Sequence, residues 1–139
     1  ILVEGDTIRF ASNRLNGLST VLSNGIHVIS NASLDTPWPK SERLRHAIDA
    51  WCSKGLNDTT PLLTALSDET PVPDAYLPDT SLPLERERLL ATAFIRDAIY
   101  GTRASTIVLR EAGGTWRAIE RRFGPNGIDV GCSTYPPNG

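Results

Sequence analysis

Two short polar segments of the chain carry the residue types best suited to chemistry. The first contains Ser30 and Asn31, whose hydroxyl and amide groups can be held toward a ligand. The second contains Arg103, whose planar guanidinium can clamp a carboxylate or another anion, followed by the short donors Ser105 and Thr106. We therefore predict that these residues belong to a ligand-binding site at the ends of strands.

Each of these residues also has a purely structural interpretation. An ion pair that ties its loop to the sheet explains Arg103 equally well, because arginine pairs are common at such corners. Asn31 is also a typical turn former that bonds its own backbone. Trp38 could line the same cleft, but packing as a staple between the corner and a helix is the commoner role for such a residue. The density of specialised residues around Asn31 favours a functional role there.

The first polar segment lies between a predicted strand and a predicted helix. Residues 26–29 are branched and alternate like a strand, and apolar residues after the corner recur at three- and four-residue steps. Asp35 or Thr36 can accept hydrogen bonds from the free amides of the first helical turn. Pro37 or Pro39 suits that turn because its missing N–H would have no partner there. A corner of this kind places backbone amides and polar side chains at the rim of a sheet.

The remaining pattern predicts an α+β protein in which helices pack on antiparallel sheets. Asn24-Gly25 is a strong hairpin signal, because both residues tolerate the positive φ of a tight turn. Strands are expected at residues 1–3, 7–11, 19–22, 26–29, 106–110 and 115–121. Helices are expected over residues 40–54 and from Thr60 and Pro83 onward. Residues 124–139 are rich in Gly and Pro, and we predict an irregular, disordered tail there.

Composition excludes several classes of partner. A net charge of −2 and a pI near 5.6 give no electrostatic footprint for nucleic acid or for an anionic membrane. No apolar run approaches the roughly 20 residues of a membrane span, so we expect a cytoplasmic protein. The chain has no methionine, and we expect that a further segment precedes Ile1.

Metal and disulfide chemistry are not predicted. Cys52 and Cys132 are too few for a disulfide framework and lack the spacing of metal ligands. Cys52 adjoins the apolar stripe of a helix and is expected to be a small buried hydrophobe. The two histidines, His27 and His46, form no ligand cluster with each other or with a cysteine.

Three segments give the chain a family resemblance. They are residues 30–40, residues 100–106, and the loop from Pro73-Asp74 through residues 77–80. Together they resemble the bacterial branch of the NRDE family, also called the transport and Golgi organisation protein family. The resemblance covers residues 1–123 and only the family's second half, since the cysteine after the initiator Met and the Asn-Arg-Asp-Glu motif are absent from this sequence. It implies that residues 1–123 form the C-terminal half of one domain.

The resemblance also implies a fold and two functions. NRDE proteins look like N-terminal-nucleophile hydrolases, in which two stacked antiparallel sheets lie between layers of helices. By that analogy Asn31 would stabilise an oxyanion, and Arg103 would fix the surroundings of a cysteine nucleophile that lies in the missing N-terminal segment. Resemblance to the animal members instead implies a non-catalytic protein that binds haem or an acyl or lipid-type ligand.

Binding is the preferred hypothesis, with a role in trafficking or homeostasis, and an amidohydrolase is the alternative. Haem is one candidate ligand, although the sequence has no clear haem motif. The expected partners are a small-molecule ligand and the missing half of the same fold. Without that half, the inner face of a sheet would be uncovered, which predicts a homodimer as one way to cover it.

Overall fold

The computed structural model of the chain describes residues 1–13, 19–30, 33–55, 57–77, 81–111 and 113–136. These residues contain two three-stranded antiparallel sheets and three α-helices. The predicted α+β class with antiparallel sheets is therefore confirmed.

The first sheet is a meander at the start of the chain. It consists of β1 (Leu2–Glu4), β2 (Thr7–Ala11) and β3 (Ser19–Val21), in that spatial order. Gly5 adopts φ +57° in the tight turn between β1 and β2, a conformation that glycine reaches without steric cost. Phe10 is the one residue of this sheet's described strands that is buried, so most of the sheet is exposed.

The prediction of a fourth strand at residues 26–29 was wrong, and so was the hairpin at Asn24-Gly25. The backbone of this segment bonds to the corner that follows it instead of to a strand. The Val28 N–H donates to the Asp35 carboxylate at 2.8 Å, and the Asp35 N–H donates to the Val28 carbonyl at 2.8 Å. The Ile26 carbonyl accepts from the Arg45 side chain. Because these backbone groups are already used locally, no strand ladder forms here.

The helices lie close to where the sequence predicted them. They are α1 (Pro39–Ser53), α2 (Thr60–Leu66) and α3 (Leu84–Leu90). One detail differs from expectation: Cys52 is exposed at the end of α1. Glu87 of α3 is buried although it is an acidic residue. The first two helices pack against each other, and α2 also packs on the second sheet.

The second sheet is built from the end of the chain. Its strands are β4 (Ala104–Arg110), β5 (Trp116–Phe123) and β6 (Asp129–Tyr135), with β5 in the centre. The predicted irregular tail was therefore wrong over β6, which pairs with β5 from Ala118↔Tyr135 to Phe123↔Asp129. Alternation of Val130, Cys132 and Thr134 on an otherwise Gly- and Pro-rich background is typical of a strand.

The core of the molecule lies between the helices and one face of the second sheet. Ser105 and Ile107 of β4 are buried, whereas the residues that follow each of them, Thr106 and Val108, are exposed, as alternation across a strand requires. Phe94 is only 2% exposed and meets Phe123 edge to face, with ring centroids 4.8 Å apart. The second sheet thus has a covered face and an uncovered one.

Candidate functional site

The corner before α1 is held by a cluster of three charged side chains. Asp35 has φ +58°, and its Oδ2 atom lies 2.7 Å from the His27 Nδ1 atom. The Arg45 guanidinium donates to the Asp35 Oδ1 atom at 3.0 Å. The second ring nitrogen of His27, Nε2, is 3.0 Å from the Ser23 carbonyl oxygen. The polar side chains of the corner thus bond to one another, and these bonds fix the backbone conformation of the corner.

The charges of this cluster stabilise one another. The hydrogen bond from His27, followed by that from the Val28 N–H, lowers the pKa of Asp35 to about 2. The pKa of His27 is raised above 6.5, first by Asp35 and then by the Ser23 carbonyl. Both partners of the imidazole are acceptors, which favours a proton on each ring nitrogen. The corner is therefore an ion cluster with a structural role, and its histidine has no free nitrogen for a metal or a haem iron.

The predicted site residues of the first segment are only partly described. Asn31 lies outside the described residues. Ser30 is described, is half-buried and follows residues 26–29 directly. Trp38 is half-buried at the start of α1, and the Lys40 ammonium group lies 5.4 Å from its ring centroid. The structural interpretation of Trp38 therefore matches its position, and its ligand-binding role stays a prediction.

The second predicted segment is fully described. Arg103 is exposed directly before β4, and within the described residues its guanidinium makes no hydrogen bond or ion pair. Ser105 is buried, and the Thr106 hydroxyl donates to the Glu120 carboxylate at 3.1 Å. The ion pair considered for Arg103 is thus absent among the described residues, which leaves this cation accessible to a ligand.

A large apolar cleft separates the two sheets. It has a volume of about 850 Å³, and its apolar walls are Ile1, Val3, Ile8, Val108 and Trp116. We call it the intersheet cleft. Its charged end is formed by the Arg110 guanidinium and the Asp6 carboxylate, which are joined at 2.6 Å, and by Glu111. Its volume lies within the range typical of small-molecule sites.

A second cavity adjoins the charged end of the intersheet cleft. It has a volume of about 630 Å³, shares Arg110 and Glu111 with the cleft, and is also lined by Trp51, Asn57 and Arg117. We call it the arginine pocket. The Nε atom of Arg117 is buried and has no hydrogen-bond partner among the described residues. A buried donor without a partner is suited to bind an anionic group.

A third cavity lies between the helices and β4. It has a volume of about 410 Å³ and is lined by α1, α2, residues 27–29 and residues 106–109. We call it the edge cavity. Among the predicted site residues that the structure describes, Thr106 is the one that lines any of these three cavities.

Sequence reasoning missed the intersheet cleft and the arginine pocket. The walls of the intersheet cleft come from strands at opposite ends of the chain, and those of the arginine pocket come from the end of α1, residue 57 and the β4–β5 hairpin. No local pattern indicates that such segments meet. The sequence did not single out Arg117 as a site residue. Within the described ranges, no group of three or more His, Cys, Asp or Glu residues could hold a metal ion. None of the helices in the described part of the chain is long and apolar enough to cross a membrane.

Comparisons with known proteins agree on one family. The family model described as Transport and Golgi organisation 2 matches residues 1–125. A Mus musculus protein described as Transport and Golgi organization 2 homolog is 31% identical over 146 residues, covering 97% of this chain and 50% of the mouse protein. A Homo sapiens protein of corresponding description is 30% identical, covering 85% of this chain and 46% of its own length. The chain therefore spans about half the length of the curated relatives it matches.

Proposed function

The chain belongs to the Transport and Golgi organisation 2 family, which is the NRDE family, and from this premise we propose that it binds an acyl-type ligand. The ligand has an elongated apolar body and an anionic end. The body lies in the intersheet cleft, and the anionic end lies in the arginine pocket. The family's name indicates a role in transport and Golgi organisation, and carriage of such a ligand is a function compatible with that role.

One observation carries the proposal: the apolar intersheet cleft shares Arg110 and Glu111 with a pocket in which the Arg117 Nε donor has no partner among the described residues. Val108 and Trp116 are 58% and 43% exposed, so two large apolar side chains of the cleft stand open to solvent. An acyl chain that covers such side chains gains about 0.8 kcal/mol for each buried CH₂ group. Arg117 then supplies a donor for a carboxylate or phosphate at the far end.

Haem fits the same cavities less well. A haem iron needs a protein ligand such as His, Cys, Met or Tyr. None of the described residues that line the intersheet cleft or the arginine pocket is of these types, and the sequence contains no methionine. His27 lines the edge cavity, but both of its ring nitrogens are already engaged. An acyl ligand is therefore the better match to these two cavities.

The test is a titration of the full-length protein with hexadecanoate and with hexadecanol, which lacks the anionic end. We expect the acid to bind more tightly than the alcohol. Arg117→Gln should remove that preference, because it removes the cation and keeps a long polar side chain. Val108→Glu should weaken binding of both probes by about tenfold or more, which corresponds to about 1.4 kcal/mol.

The matched control is Val130→Glu. Val130 is 59% exposed, almost the same as Val108, but it lies on β6 and does not line the cleft. Val108 also lines the edge cavity, whereas Ile8 lines the cleft alone. Binding that is weakened both by Val108→Glu and by Ile8→Glu, and is unchanged in the Val130 variant, would locate the ligand in the cleft. Equal effects of the Val108 and Val130 substitutions, or no measurable binding of either probe, would overturn the proposal.

One observation favours the alternative function, an amidohydrolase whose cysteine nucleophile lies outside this chain. The Arg103 side chain is exposed, and its guanidinium makes no hydrogen bond or ion pair with the described residues, so it is free to act on a substrate or a nucleophile. That cation does not line the intersheet cleft, so the two functions use different residues and can be separated by mutation.

A further inference from the structure

The outer edge of β4 has no partner strand in the described part of the chain. In the second sheet β5 is central, so β4 and β6 are the two edges. No backbone hydrogen bond joins residues 104–110 to any described segment other than β5. Alternate N–H and C=O groups of β4 therefore point away from the sheet and have no partner in the described segments.

The edge cavity runs along this open edge. Four consecutive residues of β4, 106–109, line it, and so do three consecutive residues of the facing segment, 27–29. Successive side chains of a strand point to opposite faces, so a cavity lined by consecutive residues lies beside the strand and not on one face of it. The space thus faces the backbone groups of β4 as well as its side chains.

The two edges of the second sheet are protected very differently. β6 carries the charged residue Asp129 and has Gly131 at φ +131°. It also has a β-bulge opposite residues 122 and 123. Features of this kind discourage pairing with another strand. Between Ser105 and Leu109, β4 contains neither charge, nor proline, nor glycine, and three of these five residues are branched at Cβ. β4 has the composition of a strand with neighbours on both sides.

We propose that an extended strand from the part of the full-length protein outside this chain pairs with β4 and fills the edge cavity. The relatives are about twice as long as the aligned region, so a segment of sufficient length exists in the family. An acyl chain could fill the apolar space but could not bond the open N–H and C=O groups. A peptide strand with apolar side chains satisfies both requirements. This partner is distinct from the ligand of the intersheet cleft.

Amide hydrogen exchange in the full-length protein tests this pairing without any substitution. We expect the amides of residues 106–109 on both edges of β4 to exchange about 100-fold or more slowly than in an unfolded chain, as for a central strand. Outward-pointing β4 amides that exchange like exposed ones would overturn the proposal.

Photo-crosslinking identifies the occupant. A benzophenone amino acid replaces Ile29, which lines the edge cavity and is 45% exposed, and the crosslinked peptides are mapped by mass spectrometry. We expect a crosslink within one polypeptide to a peptide outside residues 1–139. The matched control at Val130, on the protected edge, should not form that crosslink. A crosslink between two copies of residues 1–139, or no crosslink to protein, would overturn the proposal.

Discussion

The Nδ1 atom of His27 lies 2.7 Å from the Oδ2 atom of Asp35, and this pair organises the corner before α1. The other carboxylate oxygen, Oδ1, accepts from the Val28 N–H and from Arg45. The Asp35 carboxylate thus bonds to the His27 side chain before the corner, to the Val28 backbone amide, and to the Arg45 side chain of α1. The conformation of residues 26–29 follows from that set of bonds and not from strand pairing.

Stability should depend on the charge of His27. Its pKa is raised in the folded protein, so its stabilising contribution is complete below pH 6.5 and is lost as the pH rises through the folded value. Asp35 acts in the opposite direction, because its contribution is present above pH 3.8 and is lost as the pH falls toward about 2. We expect thermal unfolding of the wild-type protein to show a falling melting temperature above pH 6.5.

The His27→Gln variant provides the comparison for that pH dependence. Glutamine cannot gain the charge, so the fall in melting temperature above neutral pH should become smaller. His46→Gln is the matched control, since His46 is exposed on α1 outside the cluster. An identical pH profile for the His27 variant and the wild-type protein would show that the pair does not couple to folding.

Phe94 should be among the residues most sensitive to truncation. It is 2% exposed and contacts the Phe123 ring edge to face, so Phe94→Ala leaves a cavity that the backbone cannot easily close. We expect the free energy of unfolding to fall by about 3–5 kcal/mol in denaturant titrations. Tyr76→Ala is the control: Tyr76 is 67% exposed, and its loss should change stability by no more than about 0.5 kcal/mol.

Gly101 should not tolerate a side chain. A Cβ atom there would lie 2.9 Å from the Asp97 carbonyl oxygen and 3.0 Å from that of Ile95. Both carbonyls already accept backbone hydrogen bonds, from Asn126 and Thr102, so they cannot move away freely. Gly101→Ala should therefore lower the free energy of unfolding by about 1–3 kcal/mol.

Gly113→Ala is the matched control for that substitution. A Cβ atom at Gly113 would meet nothing within 4 Å, and its φ lies outside the left-handed region. Chemical denaturation of the two variants under one set of conditions compares them directly. Equal stability of both would mean that the crowding around Gly101 is relieved at no measurable cost.

Substitution of Arg103 tests the amidohydrolase alternative. Its side chain is exposed and unpaired within the described residues, so Arg103→Ala should change the free energy of unfolding by no more than about 0.5 kcal/mol. Under that alternative the same variant should lower kcat/KM for an N-acyl amine substrate by about 100-fold or more in the full-length protein. Arg103→Lys, which keeps the charge, should retain part of the activity. Turnover that is unaffected by Arg103→Ala would exclude a catalytic role for Arg103.

Local signals predicted the elements that depend on neighbouring residues. Strands predicted at residues 106–110 and 115–121 are present as β4 and β5, and in the turn between them, which contains the glycine pair 113–114, the Glu111 N–H donates to the Thr115 carbonyl at 2.9 Å. The strong hairpin signal at Asn24-Gly25 failed, because Asp35 and Arg45 take the backbone groups that a strand at residues 26–29 would need. A turn-forming sequence indicates which backbone conformations are accessible, but it does not indicate which hydrogen-bond partners the flanking backbone groups will have.

The candidate site was harder to predict than the elements. Thr106 was expected at a site and does line a cavity, but the intersheet cleft depends on residues such as Ile8 and Trp116, which are far apart in sequence. Cys52 was expected to be buried because it adjoins the apolar stripe of α1. It is exposed because α1 is covered on one side only, and Ser41 is its one fully buried residue. The burial of a residue and the formation of a cleft depend on which elements pack together, and the sequence pattern of a single element does not contain that information.

The ion pair between Arg110 and Asp6 has a consequence for how the protein would respond to its solution. It joins the first turn of the chain to the end of β4, and the Asp6 side chain is 92% exposed. Dissolved ions weaken exposed pairs of this kind, and the screening length is about 8 Å at physiological ionic strength. Added salt should therefore weaken this link between the two sheets, which makes ionic strength an experimental control over it.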